Sequence, residues 1–334
     1  MRTTFPSRIF STVLVLFILA ITASGCKPTL TPTPEPTLPP ATATLPPPTA
    51  TPTPERMVFV DPAGSAPAEI TSYLADFAAT NGLVYQGMTT LDNTDGARIV
   101  VFNNVPEGLS DLAAGTPQTQ FVVIGAAEQG GLPNLSVVKS KPEDLAFMAG
   151  YLTMLIAWDW RAGGLIPSDT SLGASYADAF ENGGRYLCGN CTSSYSPYYY
   201  FPLLTAESSA AGAAGWLAQV SALAEYFVKA AYVDPAAALP EVLDALAVNG
   251  VTLVGRVDTP SPERFVALLG MDALPGLQQL LPQVLSGTGG VTVETQVKIV
   301  QIMDNTVITP GKTTLFDQVA ADLAAGIIIP LSIQ

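Results

Sequence analysis

The 334-residue chain contains no histidine, only three cysteines and few charges, 13% of all residues. Without histidine there is no Ser-His-Asp or Cys-His catalysis, no His-ligated zinc and no imidazole general base. Basic residues are scarce as well: 14 Lys and Arg stand against 28 Asp and Glu, a net charge of −14, which argues against binding the phosphates of nucleic acid. Nucleotide and hydrolase signatures are missing, with no P-loop, no G-x-G-x-x-G and no G-x-S-x-G. Nothing in the chain implies a cofactor or a metal, and the expectation is a protein that is not an enzyme. Against these absences stand 29 Pro and 28 Gly, too many for one compact fold of this charge.

Part of that excess lies at the start of the chain. Arg2 and Arg8 precede an apolar run from Ile9 to Ile21, followed by Thr22-Ala23-Ser24-Gly25-Cys26. This is the three-part order of a secretory signal, and the run is shorter than the ~20 residues of a membrane span. The ending Ala-Ser-Gly-Cys resembles a bacterial lipobox, with Ala23 where Leu is usual. The resemblance implies cleavage before Cys26, lipidation of its thiol and a chain held on the extracytoplasmic face of the cell membrane. Residues 27–55 follow, almost all Pro and Thr, with 11 Pro in 29 positions. Such a segment favours polyproline II and buries no core; at ~3.1 Å per residue it reaches about 90 Å. The sequence thus divides into a signal (1–25), a lipidated Cys with its stalk (26–55), an N-terminal α/β lobe (56–141) and a C-terminal α/β lobe (142–334) that includes hinge crossovers and the return of the chain. Without the signal the charge is −16, 12 basic residues against 28 acidic.

Cys188-Gly-Asn-Cys191 has the spacing of a redox or half-zinc motif, but an exported setting and the turn-forming Gly-Asn favour a small structural disulfide. A redox-active pair and free thiols are the alternatives.

From Arg56 onward, short apolar runs alternate with helical periodicity, the pattern of parallel sheets with right-handed crossovers. Strands are expected at 57–61, 83–87, 97–102, 121–124, 135–138, 164–166, 198–204, 227–233, 251–254 and 265–269. One long half-exposed strand is expected at 291–303 and a short one at 326–330. Helices are expected at 67–79, 143–157, 174–183, 211–223, 239–248, 276–285 and 315–325. The helix from Glu143 is apolar on nearly all sides, so it belongs in the middle of the molecule. The series reads as two lobes, one after the other. Ligands of such lobes bind at the carboxyl ends of strands, which here present Asp61, Asn103, Gly125, Ser168 and Asp258 as candidate ligand-binding residues. The aromatic run Tyr195, Tyr198, Tyr199, Tyr200 and Phe201 is expected to serve core or interface packing, with stacking on a flat or sugar ring as its functional alternative. Trp158 and Trp160 are read as packing residues.

The segment Glu143-Asp-Leu-Ala-Phe-Met-Ala-Gly-Tyr-Leu152 resembles a helix of the basic membrane lipoprotein family, the purine-nucleoside-receptor-like lipoproteins that serve ABC transporters. Phe121–Ile124, Gly163–Pro167, Ala177–Gly183, Val254–Asp258 and Phe316–Pro330 are similar to further segments of that family. The resemblance implies an α/β fold of the type I periplasmic-binding-protein kind, two Rossmann-like lobes with parallel sheets around a cleft. It also implies a small polar ligand, nucleoside- or sugar-like, handed to an ABC permease. Of the family's ligand residues only Asp258 keeps its type, as a ribose-binding acid; Gly125 and Met271 fall where the family has an aspartate and a lysine. The resemblance therefore supports the fold and the transport setting more than a nucleoside. The competing expectation is a cleft-degenerate surface sensor or scaffold that binds a membrane protein.

Overall fold

The computed structural model describes residues 54–125, 131–170 and 172–331, all within one compact unit, Pro52–Gln334. The signal, Cys26 and nearly all of the stalk lie outside the described residues.

The chain runs β1 (Arg56–Val60), α1 (Ala68–Thr80), β2 (Val84–Met88), β3 (Ala97–Phe102), α2 (Leu109–Gly115), β4 (Gln120–Ile124) and β5 (Leu135–Lys139). It continues through α3 (Pro142–Ile156), β6 (Ala162–Pro167), α4 (Ala174–Cys188), the short hairpin β7 (Cys191–Thr192) and β8 (Tyr200–Phe201), β9 (Leu203–Glu207), α5 (Ala213–Glu225), β10 (Ala230–Val233), α6 (Pro240–Val248), β11 (Thr252–Arg256) and β12 (Ala267–Asp272). It closes with α7 (Leu274–Leu285), β13 (Thr292–Glu294), β14 (Gln296–Ile302) and α8 (Pro310–Ala324).

Two six-stranded sheets result. The first has the order β13-β5-β4-β3-β1-β2, all parallel; the second has β14-β12-β11-β10-β6-β9, with only β14 antiparallel. Both are doubly wound α/β sheets, as the alternating periodicity predicts. Strands buried on both faces explain the continuous apolar runs: in β3 and β4 Val100, Phe102, Phe121 and Val123 pack on one side, and Ile99, Val101, Val122 and Ile124 on the other. α1 starts after Pro67, whose fixed φ suits a helix start, and turns Ile70, Leu74 and Ala78 to the first sheet. α3 is buried from Asp144 to Met154, so its all-round apolar surface is matched by its place in the core of the second lobe.

The lobes are interleaved, which corrects the expectation of one lobe after the other. α7 and β13 belong to the first lobe, packing on β5 and extending its sheet, while β14 and α8 return to the second. The long strand expected at 291–303 is therefore two strands in different sheets, interrupted at the buried Thr295. The strand expected at 198–204 likewise divides at cis-Pro202 into β8 and β9. Residues 326–330 form turns and bends, since Ile327 and Ile328 are held by the Asp322 carbonyl at the end of α8 instead of by a strand.

The chain crosses between lobes after β5, after β12 and after β13. These crossings lie side by side: Lys139 pairs with Glu294 in the first sheet, and Asp272 with Gln296 in the second. All three leave from carboxyl ends of strands, so the carboxyl edges of both sheets adjoin the hinge. Lys141 and Glu294 bridge at 2.6 Å there, and Lys298 joins Glu69 of α1 (3.1 Å) to Asp272 (3.3 Å) across the two lobes.

Asp144, in the first turn of α3 beside this hinge, is 3% exposed. Burial pushes its carboxyl up to about 6, against the opposing pull of Lys141 and with reinforcement from Glu143 and Glu294. A raised folded pKa means that its contribution to stability is fully present below the unfolded value of 3.8 and is lost as pH rises through about 6. Asp144→Asn is therefore expected to be more stable than the parent by about 1–2 kcal/mol at pH 7.5, with the difference vanishing near pH 3.5. Urea unfolding at both pH values checks this; an equal difference at both would remove the titration from the account.

Candidate functional site

In a doubly wound sheet the strand order reverses at one point, and the loops leaving the two strands there diverge to opposite faces and open a crevice. The reversal falls between β1 and β3 in the first lobe and between β6 and β10 in the second. The residues that follow these strands are Asp61, Asn103, Ser168 and Asp234.

On the first lobe Asp61 and Asn103 meet as the sequence suggests. Asp61 Oδ1 accepts from Asn103 Nδ2 at 3.1 Å, Oδ2 accepts from the Ala66 amide at 2.8 Å, and Asn103 Nδ2 also reaches Ser65 Oγ at 3.3 Å. Burial raises the Asp61 pKa, but these hydrogen bonds outweigh it and hold the carboxyl below its ordinary range. Gly125 follows β4 with φ +90° and donates its amide to the Val138 carbonyl at 2.9 Å, a left-handed turn that favours glycine.

On the second lobe the Ser168 amide donates to the Glu207 carbonyl at 2.8 Å. The adjacent Asp169 accepts from the Ser209 amide (2.9 Å) and the Ser209 hydroxyl (2.8 Å), tying the β6 and β9 loops together. Asp258 is gripped by Arg256: Nε donates to Oδ1 at 2.8 Å and Nη2 to Oδ2. This pairing holds the Asp258 carboxyl below the usual carboxylate range. Arg256 Nη1 also lies 3.8 Å from Asp234, whose side chain is 8% exposed and whose carboxyl is pushed up by burial. Behind them the Tyr176 hydroxyl donates to the Tyr232 oxygen at 3.1 Å, with burial raising the Tyr176 phenol to about 12. Asp234, Arg256 and Asp258 thus stand at the carboxyl edge of the sheet, with Tyr232 and Tyr176 buried behind them.

Sequence reasoning found Asp258 and missed its partner Arg256, although both stand in Val254-Gly-Arg-Val-Asp258. Asp234, which follows β10, is legible as a strand-end acid, whereas the inward-facing Tyr232 two residues before it is a weaker signal, visible only once the strand order is known. Asp61 and Asn103 are brought into one cluster; Ser168 and Gly125 sit on separate loops. Across both edges the groups are carboxylates, amides, phenols and one guanidinium, a set that exchanges hydrogen bonds with hydroxyls and with neutral polar rings. Four carboxylates, Asp61, Asp169, Asp234 and Asp258, against one arginine disfavour a multiply charged anion.

The hairpin near the end of α4 carries the Cys188–Cys191 disulfide, with Cα atoms 5.4 Å apart. A separate concavity of about 530 Å³ opens on the first lobe between Leu91, Phe102, Val105 and Leu112, with Pro62 and Asn104 on its rim.

No protein-family model and no curated protein sequence matches the chain. Among solved structures, it is similar to an ABC transporter solute-binding protein from Conexibacter woesei DSM 14684, with a TM-score of 0.56, 13% identity, and coverage of 82% of this chain and 98% of that one. It is similar to AraP, an arabinose-binding protein from Geobacillus stearothermophilus, with a TM-score of 0.51, 13% identity, and coverage of 75% and 98%. It is also similar to a transcriptional activator of the comK gene from Bacillus halodurans, with a TM-score of 0.53, 10% identity, and coverage of 83% and 99%. The fold is thus that of the periplasmic-binding-protein-like solute-binding proteins, which regulators share. These neighbours are described as binding or regulatory proteins. At such identities the likeness extends to the fold alone.

Proposed function

We propose that this chain is a lipid-anchored solute-binding protein of the extracytoplasmic membrane face that takes up a small, neutral, polar ligand between its lobes and hands it to an ABC permease. The observation that carries this reading is the pair of polar strand-end clusters, Asp61–Asn103 and Asp234–Arg256–Asp258, set on two sheet edges that adjoin a three-stranded hinge. Closure about such a hinge gathers hydrogen-bond partners from both sides of a ligand without covalent chemistry. The carboxylates and amides favour a hydroxyl-rich solute, sugar- or nucleoside-like. The lipobox-like Cys26 and the Pro/Thr stalk supply the anchor and the reach, and the Glu143–Leu152 segment adds the likeness to basic membrane lipoproteins.

The full chain is screened by thermal shift against monosaccharides, nucleosides and amino acids. A ligand at 100 times its Kd adds about 2.7 kcal/mol, which at this size raises Tm by about 4–5 °C. Asp61→Ala and Arg256→Ala are expected to weaken that ligand at least tenfold by titration calorimetry. Stabilisation by none of the three classes would overturn the reading. It would favour a second one, in which the domain is a sensor or scaffold for a membrane protein, because the carboxylates of Asp61 and Asp258 are already satisfied by their own neighbours.

A further inference from the structure

The second lobe carries another built surface, at the opposite end of its sheet from the hinge. The aromatic run, expected to serve core or interface packing, divides here: Phe201 is buried and Tyr199 packs against the core, but Tyr195, Tyr198 and Tyr200 are 63%, 68% and 72% exposed, and Trp158, read as a packing residue, is 60% exposed. The rings of Trp158 and Tyr195 lie parallel, 5.5 Å between centroids and 7° between planes.

What holds them is buried. Asp159 and Arg161 pair at 3.2 Å with side chains 1% and 4% exposed. Asp159 accepts from the Ser194 amide at 2.6 Å and the Tyr195 amide at 3.4 Å. Arg161 donates Nη2 to the Tyr195 carbonyl (2.8 Å) and the Pro197 carbonyl (3.2 Å), and Nη1 to the Tyr226 carbonyl (3.3 Å). The backbone is held in left-handed conformations at Asp159 (φ 54°), Trp160 (φ 62°) and Phe227 (φ 58°), three of the four such non-glycine residues described. A bulky residue adopts such a backbone only where its surroundings over-determine it, and such sites gather where proteins bind.

We propose that this aromatic surface is a second binding site, for chains of neutral hexose rings. Its framework charges cancel each other and every Arg161 nitrogen is already engaged, so the frame offers nothing to an ionic ligand. Its rings are tyrosines and a tryptophan, apolar on the face and polar at the tip. Hexopyranose rings present weakly positive C–H faces to the negative face of an aromatic ring and hydroxyls at their edges. Lipid tails would desolvate the phenols without replacing their hydrogen bonds. On the same hairpin Tyr200 lines a concavity of about 470 Å³ with Asn190 and Arg185, whose charge is balanced by Glu181 at 2.8 Å, so that it adds an amide and neutralised guanidinium N–H donors beside a ring.

The test is native affinity electrophoresis of the full chain in gels containing a soluble neutral β-glucan or a soluble neutral α-glucan. At least one glucan is expected to retard the parent. Trp158→Ala with Tyr195→Ala is expected to weaken that retardation at least tenfold, and Trp158→Phe to retain most of it. If the double variant does not fold, Tyr198→Ala with Tyr200→Ala, both far out in solvent, is expected to give a loss of similar sign with unchanged circular dichroism. Asp61→Ala is expected to leave retardation intact, which separates this site from the one between the lobes. Retardation by neither glucan overturns the proposal, as does retardation that both ring-pair variants leave unchanged. So does binding to neutral phospholipid vesicles, or self-association in sedimentation, that the same substitutions abolish in place of glucan binding.

Discussion

Gly150→Ala and Gly183→Ala are each expected to cost more than about 3 kcal/mol, enough to leave little folded protein at 37 °C. The two glycines face each other's helices where α3 crosses α4. A Cβ on Gly150 would fall 1.9 Å from the Phe180 carbonyl oxygen, and one on Gly183 would fall 1.9 Å from the Phe147 carbonyl oxygen. The obstacle in each case is backbone, which has no rotamer to escape into, so the helices themselves must part. Their separation would reopen the packing of Phe147, Phe180, Tyr151 and Ala179 in the largest buried cluster. Two such changes act on one crossing, so the double variant is expected to cost less than the sum of the singles. Urea unfolding followed by tryptophan fluorescence measures both, with Gly115→Ala as a control, because a Cβ there meets nothing within 4 Å. A loss under 1 kcal/mol at either α3 or α4 would mean that the crossing yields easily.

The second large effect is expected at Arg161. Arg161→Met keeps much of the side-chain volume but removes the partner of a carboxylate that is 1% exposed. A buried ion pair broken from one side leaves an uncompensated charge, at about 3–5 kcal/mol. It also frees the carbonyls of Tyr195, Pro197 and Tyr226 and the contacts of the guanidinium with the Phe201 and Phe227 rings, at 5.9 and 5.8 Å. Arg161→Met with Asp159→Asn is expected to recover part of the loss. Chemical denaturation of the parent and the two variants checks the order; full stability in the single variant would show that Asp159 finds water instead.

These two effects also show what the sequence made legible. The Ala-Gly-Tyr-Leu helix and the Phe180–Gly183 segment, which carry most of the family resemblance, meet at the glycine crossing. Their message is one of packing, and it says nothing about a ligand. Strands of the doubly wound sheets were readable because burial on both faces makes them continuous apolar runs. Where the chain changes lobe was not readable, because Val293, Thr295 and Val297 keep one buried phase through the crossing, and only the partners on either side show that the segment serves two sheets. At the candidate site, Asp61 and Asn103 were legible from their place after strands. Arg256 was not, since an arginine that ends an apolar strand carries no signal until Asp234 and Asp258 are placed around it. In the tyrosine-rich hairpin the expected packing holds for Phe201 and Tyr199 and fails for Tyr195, Tyr198 and Tyr200, where the buried Asp159–Arg161 pair grips the backbone of 194–197 and leaves the rings outside.

The interleaved crossings also bear on how the chain becomes a protein. β13 pairs with β5 across some 150 residues, Thr292 with Val137 and Glu294 with Lys139, and β14 closes the far edge of the other sheet. A chain emerging N-terminus first therefore finishes neither lobe until its last quarter is available, and both lobes are completed almost together. Such long-range closure slows folding and couples the lobes during assembly, so truncation before Thr292 would move the open edge of each sheet inward, from β13 and β14 to the more apolar β5 and β12.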